Sequence, residues 1–136
     1  MILIDTSAWV EYFRGSGSAA ALEVRRLLTD HAEDIAMCEP VAMEILAGAG
    51  DAAAHAKLER LVNGLPSLAF DATLDFRSAA QIYRAGRRGG RTIRRMTDCL
   101  IAAVAMRHGA TVIHRDADFD VIADITGLVA RRAHAQ

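Results

Sequence analysis

Apolar residues fall into two rhythms along this chain. Short, mainly apolar runs that end at polar or turn residues occur at Ile2–Ile4, 35–38, 65–69, Thr111–His114 and, more weakly, 128–130. Runs of that length without alternation fit strands covered on both faces. Between them, apolar residues recur at helical spacing. Ala54, Leu58, Leu61 and Val62 make one stripe, and Phe76, Ala79, Ala80 and Tyr83 another. The stretch 99–106 is apolar all round, which predicts a helix buried mid-domain. Pro40, followed by Val-Ala-Met-Glu-Ile-Leu, predicts a helix with proline in its first turn, ending near Gly48. Buried strands alternating with helices predict an α/β fold, three layers with a central parallel sheet of four to five strands flanked by helices. Ligands of such sheets collect beyond the carboxyl ends of the strands.

Composition narrows the picture. A chain of 136 residues, 52% hydrophobic and 24% charged, can bury one core and predicts a single domain over 1–136. The net charge of -1 gives no global basic field, so a nucleic-acid partner must be met by a local patch. The apolar runs stop well short of the ~20 residues of a membrane span. Met-Ile-Leu-Ile-Asp has no basic region ahead of it and reads as a core strand, not a secretory signal. Cys38 and Cys99 lack metal-type spacing and read as buried thiols of a cytoplasmic protein.

The acids carry the chemistry. Asp5 ends the first strand, and Asp116 and Asp118 follow the strand at 111–114 almost at once; if these strands are parallel neighbours, the acids share one edge. Asp98 opens the most apolar helix, where the helix N-terminus favours negative charge. Glu44 is the only charge between Glu39 and Asp51, which points it from a packed helix into a shared cleft. Each acid also has a plainer reading: helix start for Asp5, dipole complement for Asp98, solvated helix residue for Glu44, turn residue for Asp116. Carboxylates ~4 Å apart repel by about 4 kcal/mol per pair at an effective dielectric near 20. A cluster of them therefore takes up protons or binds a cation. Oxygen-only ligands select a hard ion, Mg²⁺ or Mn²⁺, which can ionise a water and steady a phosphodiester under attack.

Ile-Asp-Thr-Ser at the start, Met-Glu-Ile-Leu, Asp-Cys-Leu-Ile-Ala-Ala and Arg-Asp-Ala-Asp-Phe, in that order, resemble the PIN domain, and within it VapC-type toxins of bacterial toxin–antitoxin pairs. The resemblance runs from Met1 to about Ile125. It implies a PIN-like fold and a Mg²⁺- or Mn²⁺-dependent endoribonuclease acting on tRNA or ribosomal RNA. It also implies a homodimer silenced by a VapB-type antitoxin. By motif position, Asp5, Glu44, Asp98 and Asp116 take the catalytic and metal-binding roles. Asp118 is an outer ligand, and Thr6 or Ser7 supplies a hydroxyl near metal or phosphate. The chain departs from the family at His114, where threonine is common, and at Thr97, where Asn or Ser often stands; His114 is read as filling space.

Of the sixteen basic residues only Lys57 is a lysine. Arg84, Arg87, Arg88, Arg91, Arg94 and Arg95 crowd one segment that contains no acid. Arg91, Arg94 and Arg95 are the candidate RNA-phosphate contacts, since arginine's planar fork suits phosphate; docking of an antitoxin and a solvated helix end are the other readings of this segment. Trp9, Tyr12 and Phe13 follow the first acid at helical spacing and read as packing. Asp116-Ala-Asp-Phe-Asp-Val begins like a calcium loop, but Val121 and Gly127 stand where glycine and glutamate are needed. A receiver domain needs a late lysine, and a haloacid-dehalogenase-like phosphatase needs Asp where Ser7 stands. The remaining alternative is a catalytically inactive PIN-like domain that only binds antitoxin or RNA.

Overall fold

The computed structural model describes residues 1–134. Four strands, β1 (Ile2–Ile4), β2 (Ile35–Ala36), β3 (Thr111–His114) and β4 (Ala130–Arg132), form a sheet of order β2-β1-β3-β4 in which every pairing is parallel. Leu3 and Ile4 point to opposite faces, and both are fully buried, so the sheet is covered on both sides. The helices are α1 (Thr6–Arg14), α2 (Ala19–Asp30), α3 (Glu39–Ala47), α4 (Ala52–Gly64), α5 (Ala72–Arg88), α6 (Met96–Arg107) and α7 (Ala117–Ile125). The chain leaves β1 toward β2 on one side and re-enters at β3 on the other. The β1/β3 boundary is therefore the switch point at which a parallel sheet opens a crevice. Among the described residues, no helix is long and apolar enough to cross a membrane.

Several sequence expectations hold in detail. Pro40 lies in the first turn of α3, which ends at Gly48. Helix α6 buries Asp98, Cys99 and every residue from Ile101 to Ala105. Trp9 is fully buried and stacks on Phe13 with ring centroids 5.7 Å apart. Residues 117–125 form α7, so the calcium-loop likeness has no structural counterpart.

Three expectations need correction. The run 65–69 is not a strand. It makes a single bridge, Ser67 opposite Met37, with the Met37 amide donating to the Pro66 carbonyl (2.8 Å) and the Leu68 amide to Met37 (2.7 Å). Pro66 has no N–H to extend the ladder. The last strand begins two residues later than expected and includes Arg131 and Arg132. Both charges are answered at this sheet edge, Arg131 by buried Glu23 of α2 and Arg132 by Asp120 of α7.

The stripe on α5 is turned by about one residue. The residues facing the core are Asp75, Ala79, Ile82 and Gly86, while Phe76 is 57% exposed. Asp75 can face inward because Arg107 of α6 grips it with two hydrogen bonds of 2.8 Å and also donates to the Ala69 carbonyl. That fork holds the Asp75 carboxyl below the usual carboxylate range despite burial. Gly86 admits Ile93, since a Cβ there would sit 2.9 Å from the Ile93 Cδ1.

The corrected face of α5 has a measurable consequence. Ile82→Ala should lower stability by about 3 kcal/mol, and Phe76→Ala by less than about 1 kcal/mol, in urea unfolding. The reverse order would restore the stripe read from the sequence.

Candidate functional site

Asp5 and Asp116 sit at the carboxyl ends of the two central strands. Ile4 pairs with Ile113, and the Asp5 amide donates to the Ile113 carbonyl (2.8 Å), extending β1 by one residue alongside β3. Each aspartate also caps the following helix. Asp5 Oδ2 accepts from the Ser7 amide (2.9 Å), and Asp116 Oδ1 from the Asp118 amide (2.9 Å). Helix start and shared cleft are thus not alternatives here. One carboxylate does both, because a strand-to-helix turn at the sheet edge leaves its side chain facing the crevice.

The other acids arrive from helices. Asp98 is in the first turn of α6, and Glu44 comes from α3, part-buried, with its Oε1 accepting from the Thr6 hydroxyl (2.8 Å). Asp5, Glu44, Asp98 and Asp116 line one cleft of about 340 Å³ together with Thr6 and Ser7. Asp98, Asp116 and Asp118 each place a carboxylate oxygen within 4.8 Å of the others'. The structure therefore brings the four principal acids into one pocket.

The candidate hydroxyls are already engaged with these acids. The Ser7 hydroxyl donates to Asp5 Oδ2 (2.5 Å) and accepts from the Arg115 amide (2.9 Å), tying the turn after β1 to the turn after β3. Asp118 stands behind the cleft. It receives the Arg94 and Arg95 amides (3.0 Å each) and the Arg94 Nε (3.4 Å). His114 is only 1% exposed. Its Nδ1 accepts from the Asp116 amide (3.2 Å), so it holds the turn carrying Asp116.

The arginines divide. Arg95 lines the cleft, Arg94 lies on Asp116 and Asp118, and Arg91 points away to Asp124 of α7 (3.3 Å). Arg14 and Arg115 also line the cleft, and the sequence reading missed both. Arg115 stands directly before Asp116, a position that could have drawn notice once the strand end was assigned.

Desolvation governs the electrostatics. Burial pushes the Asp98 carboxyl up to about 9, helped by its hydrogen bond to Asp118 and by the charges of Asp5, Asp116 and Asp118. Asp5 is raised to about 6, first by burial and then by Glu44, against the pull of the Ser7 hydrogen bonds. Asp118 shifts the other way. Burial opposes its charge, but hydrogen bonds from Asp98 and from the Arg94 and Arg95 amides outweigh that cost.

Two carboxylate oxygens, Asp5 Oδ1 and Asp98 Oδ2, are buried and have no hydrogen-bond partner among the described residues. Burying an acceptor without a partner is costly. Two such oxygens on acids of one cleft, with no histidine or cysteine lining it, fit a hard divalent cation.

A PIN-domain family model matches residues 2–125. The chain is 70% identical over 130 residues to Ribonuclease VapC11 of Mycobacterium tuberculosis, an alignment spanning 96% of this chain and 97% of that protein. Among solved structures it resembles VapBC2 from Rickettsia felis bound to a DNA fragment from its promoter, with TM-score 0.74, 20% identity and coverage of 97% and 98%. It likewise resembles VapBC-1 from nontypeable Haemophilus influenzae, with TM-score 0.74, 18% identity and the same coverage. At those identities the structural likeness establishes the fold.

The raised carboxyls set a pH dependence. The folded chain keeps a proton on Asp98 that the unfolded chain releases near 3.8. That contribution to stability is fully present below 3.8 and is lost as pH rises to about 9. Without divalent ions, the melting temperature should therefore fall between pH 6 and pH 9, and Asp98→Asn should remove most of the slope. Thermal melts at several pH values check this; a flat wild-type profile would contradict the assignment.

Proposed function

The chain belongs to the PIN-domain family and, within it, to the VapC group, and from that premise we propose that it is a toxin-type endoribonuclease hydrolysing RNA phosphodiester bonds with Mg²⁺ or Mn²⁺. The observation that carries this reading is the pair of buried, unpartnered oxygens on Asp5 and Asp98 in a cleft shared with Glu44 and Asp116. Asp5, Glu44, Asp98 and Asp116 would hold the ion. When bound, it supplies an ionised water and neutralises charge on the phosphodiester.

The chain's own groups do the positioning. Ser7 fixes Asp5, and Thr6 fixes Glu44, so two of the acids are oriented before any ion arrives. Asp118 acts from behind the cleft by fastening the Arg94–Arg95 backbone. Arg95, Arg14 and Arg115 rim the acids and are placed to take RNA phosphates on either side of the bond that breaks. A basic rim on a chain of net charge -1 answers the need for a local patch. Attack by water, without a covalent intermediate, suits a cleft whose two hydroxyls already serve as carboxylate donors.

In this reading the substrate is tRNA or ribosomal RNA, and the chain forms a homodimer silenced by a VapB-type antitoxin. Relatives crystallised as VapBC assemblies support such a partner. Met43, Leu74, Phe76 and Met96 offer exposed apolar surface for these contacts. The buried free thiols of Cys38 and Cys99 suit a reducing compartment such as the cytoplasm.

Purified protein should cut RNA with Mg²⁺ and stop in EDTA. Asp5→Asn and Asp98→Asn should each lower the rate at least about hundredfold. Equal cleavage by both variants, or none by wild type, would favour a domain that only binds antitoxin or RNA. Replacing Arg14, Arg95 and Arg115 together with Ala should weaken RNA binding and reduce its log–log salt slope by about two. Arg91→Ala, which removes only the pair with Asp124, should leave the slope unchanged.

A further inference from the structure

Arg94 differs from its neighbours in where its charge goes. Its Nη2 donates to Asp116 Oδ1 (2.8 Å), an oxygen that already accepts from the Asp118 amide, and its Nε reaches Asp118 Oδ1 (3.4 Å). The side chain remains 64% exposed, whereas the Arg94 and Arg95 amides are bound to Asp118, which is only 2% exposed. The backbone is thus pinned by a buried carboxylate, while the guanidinium pairs with the acids from an exposed side chain.

An ion pair with one such exposed partner is weakly held. A divalent ion held by Asp116 would bring a second, larger positive charge onto the same carboxylate. Two cations sharing one small carboxylate repel each other, and the mobile one gives way.

We infer that Arg94 is an internal counter-cation of the cleft, competing with the divalent ion for Asp116, so that ion entry and guanidinium departure are one exchange. This rests on the reading of Asp116 as an ion ligand given above. Asp5 Oδ1 and Asp98 Oδ2, which have no protein partner among the described residues, would receive the ion without displacing a protein group, and Asp116 joins when Arg94 leaves. Without an ion, Arg94 bridges Asp116 and Asp118 with its positive charge. With an ion, the same guanidinium would leave Asp116 from its exposed position next in sequence to Arg95, which lines the cleft. Asp118 keeps the segment in place throughout, because its bonds to the two amides do not involve the guanidinium.

The test is Mn²⁺ binding by calorimetry on the full chain without RNA, comparing wild type, Arg94→Ala, Arg94→Gln and Arg91→Ala. Both Arg94 variants should bind Mn²⁺ about three- to tenfold tighter than wild type. Arg91→Ala removes the same charge from the pair with Asp124 and should stay within about twofold, which separates local competition from a change in net charge. Thermal melts of each variant confirm folding, which the exposure of Arg94 favours. Arg94 variants that bind no tighter than Arg91→Ala, or more weakly than wild type, would overturn the exchange while leaving the metal site intact. Failure of wild type and every variant to bind Mn²⁺ would overturn the metal reading itself.

Discussion

Two parallel strands end side by side with an aspartate each, and the desolvation of the carboxylates gathered there, with their mutual repulsion second, shapes the rest of the site. Asp5 and Asp116 are brought together by the β1/β3 register, and helices α3 and α6 add Glu44 and Asp98 to the same cleft. Bringing these groups out of water raises Asp98 to about 9 and Asp5 to about 6. The fold carries that electrostatic load because its central strands are buried on both faces and leave the strand ends no freedom to separate.

The protein answers the load with fixed dipoles and with a movable charge. Ser7 donates to Asp5 while receiving the Arg115 amide, so one hydroxyl locks the two strand ends together. Amides of Arg94 and Arg95 stabilise the charge of Asp118, and His114 accepts the Asp116 amide from a fully packed position. Those contacts cost no ordering when a substrate arrives, which is what a preorganised site requires. Arg94 is the exception, with a pinned backbone and an exposed guanidinium, and it therefore suits exchange.

Buried charge away from the cleft serves the same geometry. Arg107 holds Asp75 and the Ala69 carbonyl, which clamps α5 and the segment before it onto α6, the helix that presents Asp98. Glu23, 1% exposed, receives Arg131 and so ties α2 to the edge strand β4. A buried carboxylate with a matched fork is tolerated, whereas the same group left unpaired is strongly destabilising. These two ties therefore set positions as much as stability.

Much was legible in the sequence because it depends on local pattern. Mainly apolar runs gave the central strands, the Pro40 signal located α3, and the uniformly apolar 99–106 marked the buried helix. Four acids at strand ends and on packed helices pointed to one crevice, since parallel topology sends such residues to the same edge. Where charge lay inside, pattern failed. Asp75 faces the core of α5, and Arg131 lies in β4, because partners distant in sequence neutralise them. Helix α2, capped by Ser18, went unread; a charged residue, Glu23, lies on its buried face among Ala20, Ala21, Val24 and Leu27 and interrupts the apolar stripe. The fate of each arginine was likewise decided only in three dimensions. Arg91, Arg94 and Arg95 look equivalent along the chain, yet one faces α7, one lies on the acids and one lines the cleft. Sequence determines which residues can carry charge and with what period they recur; only folding decides which opposite charge each one meets.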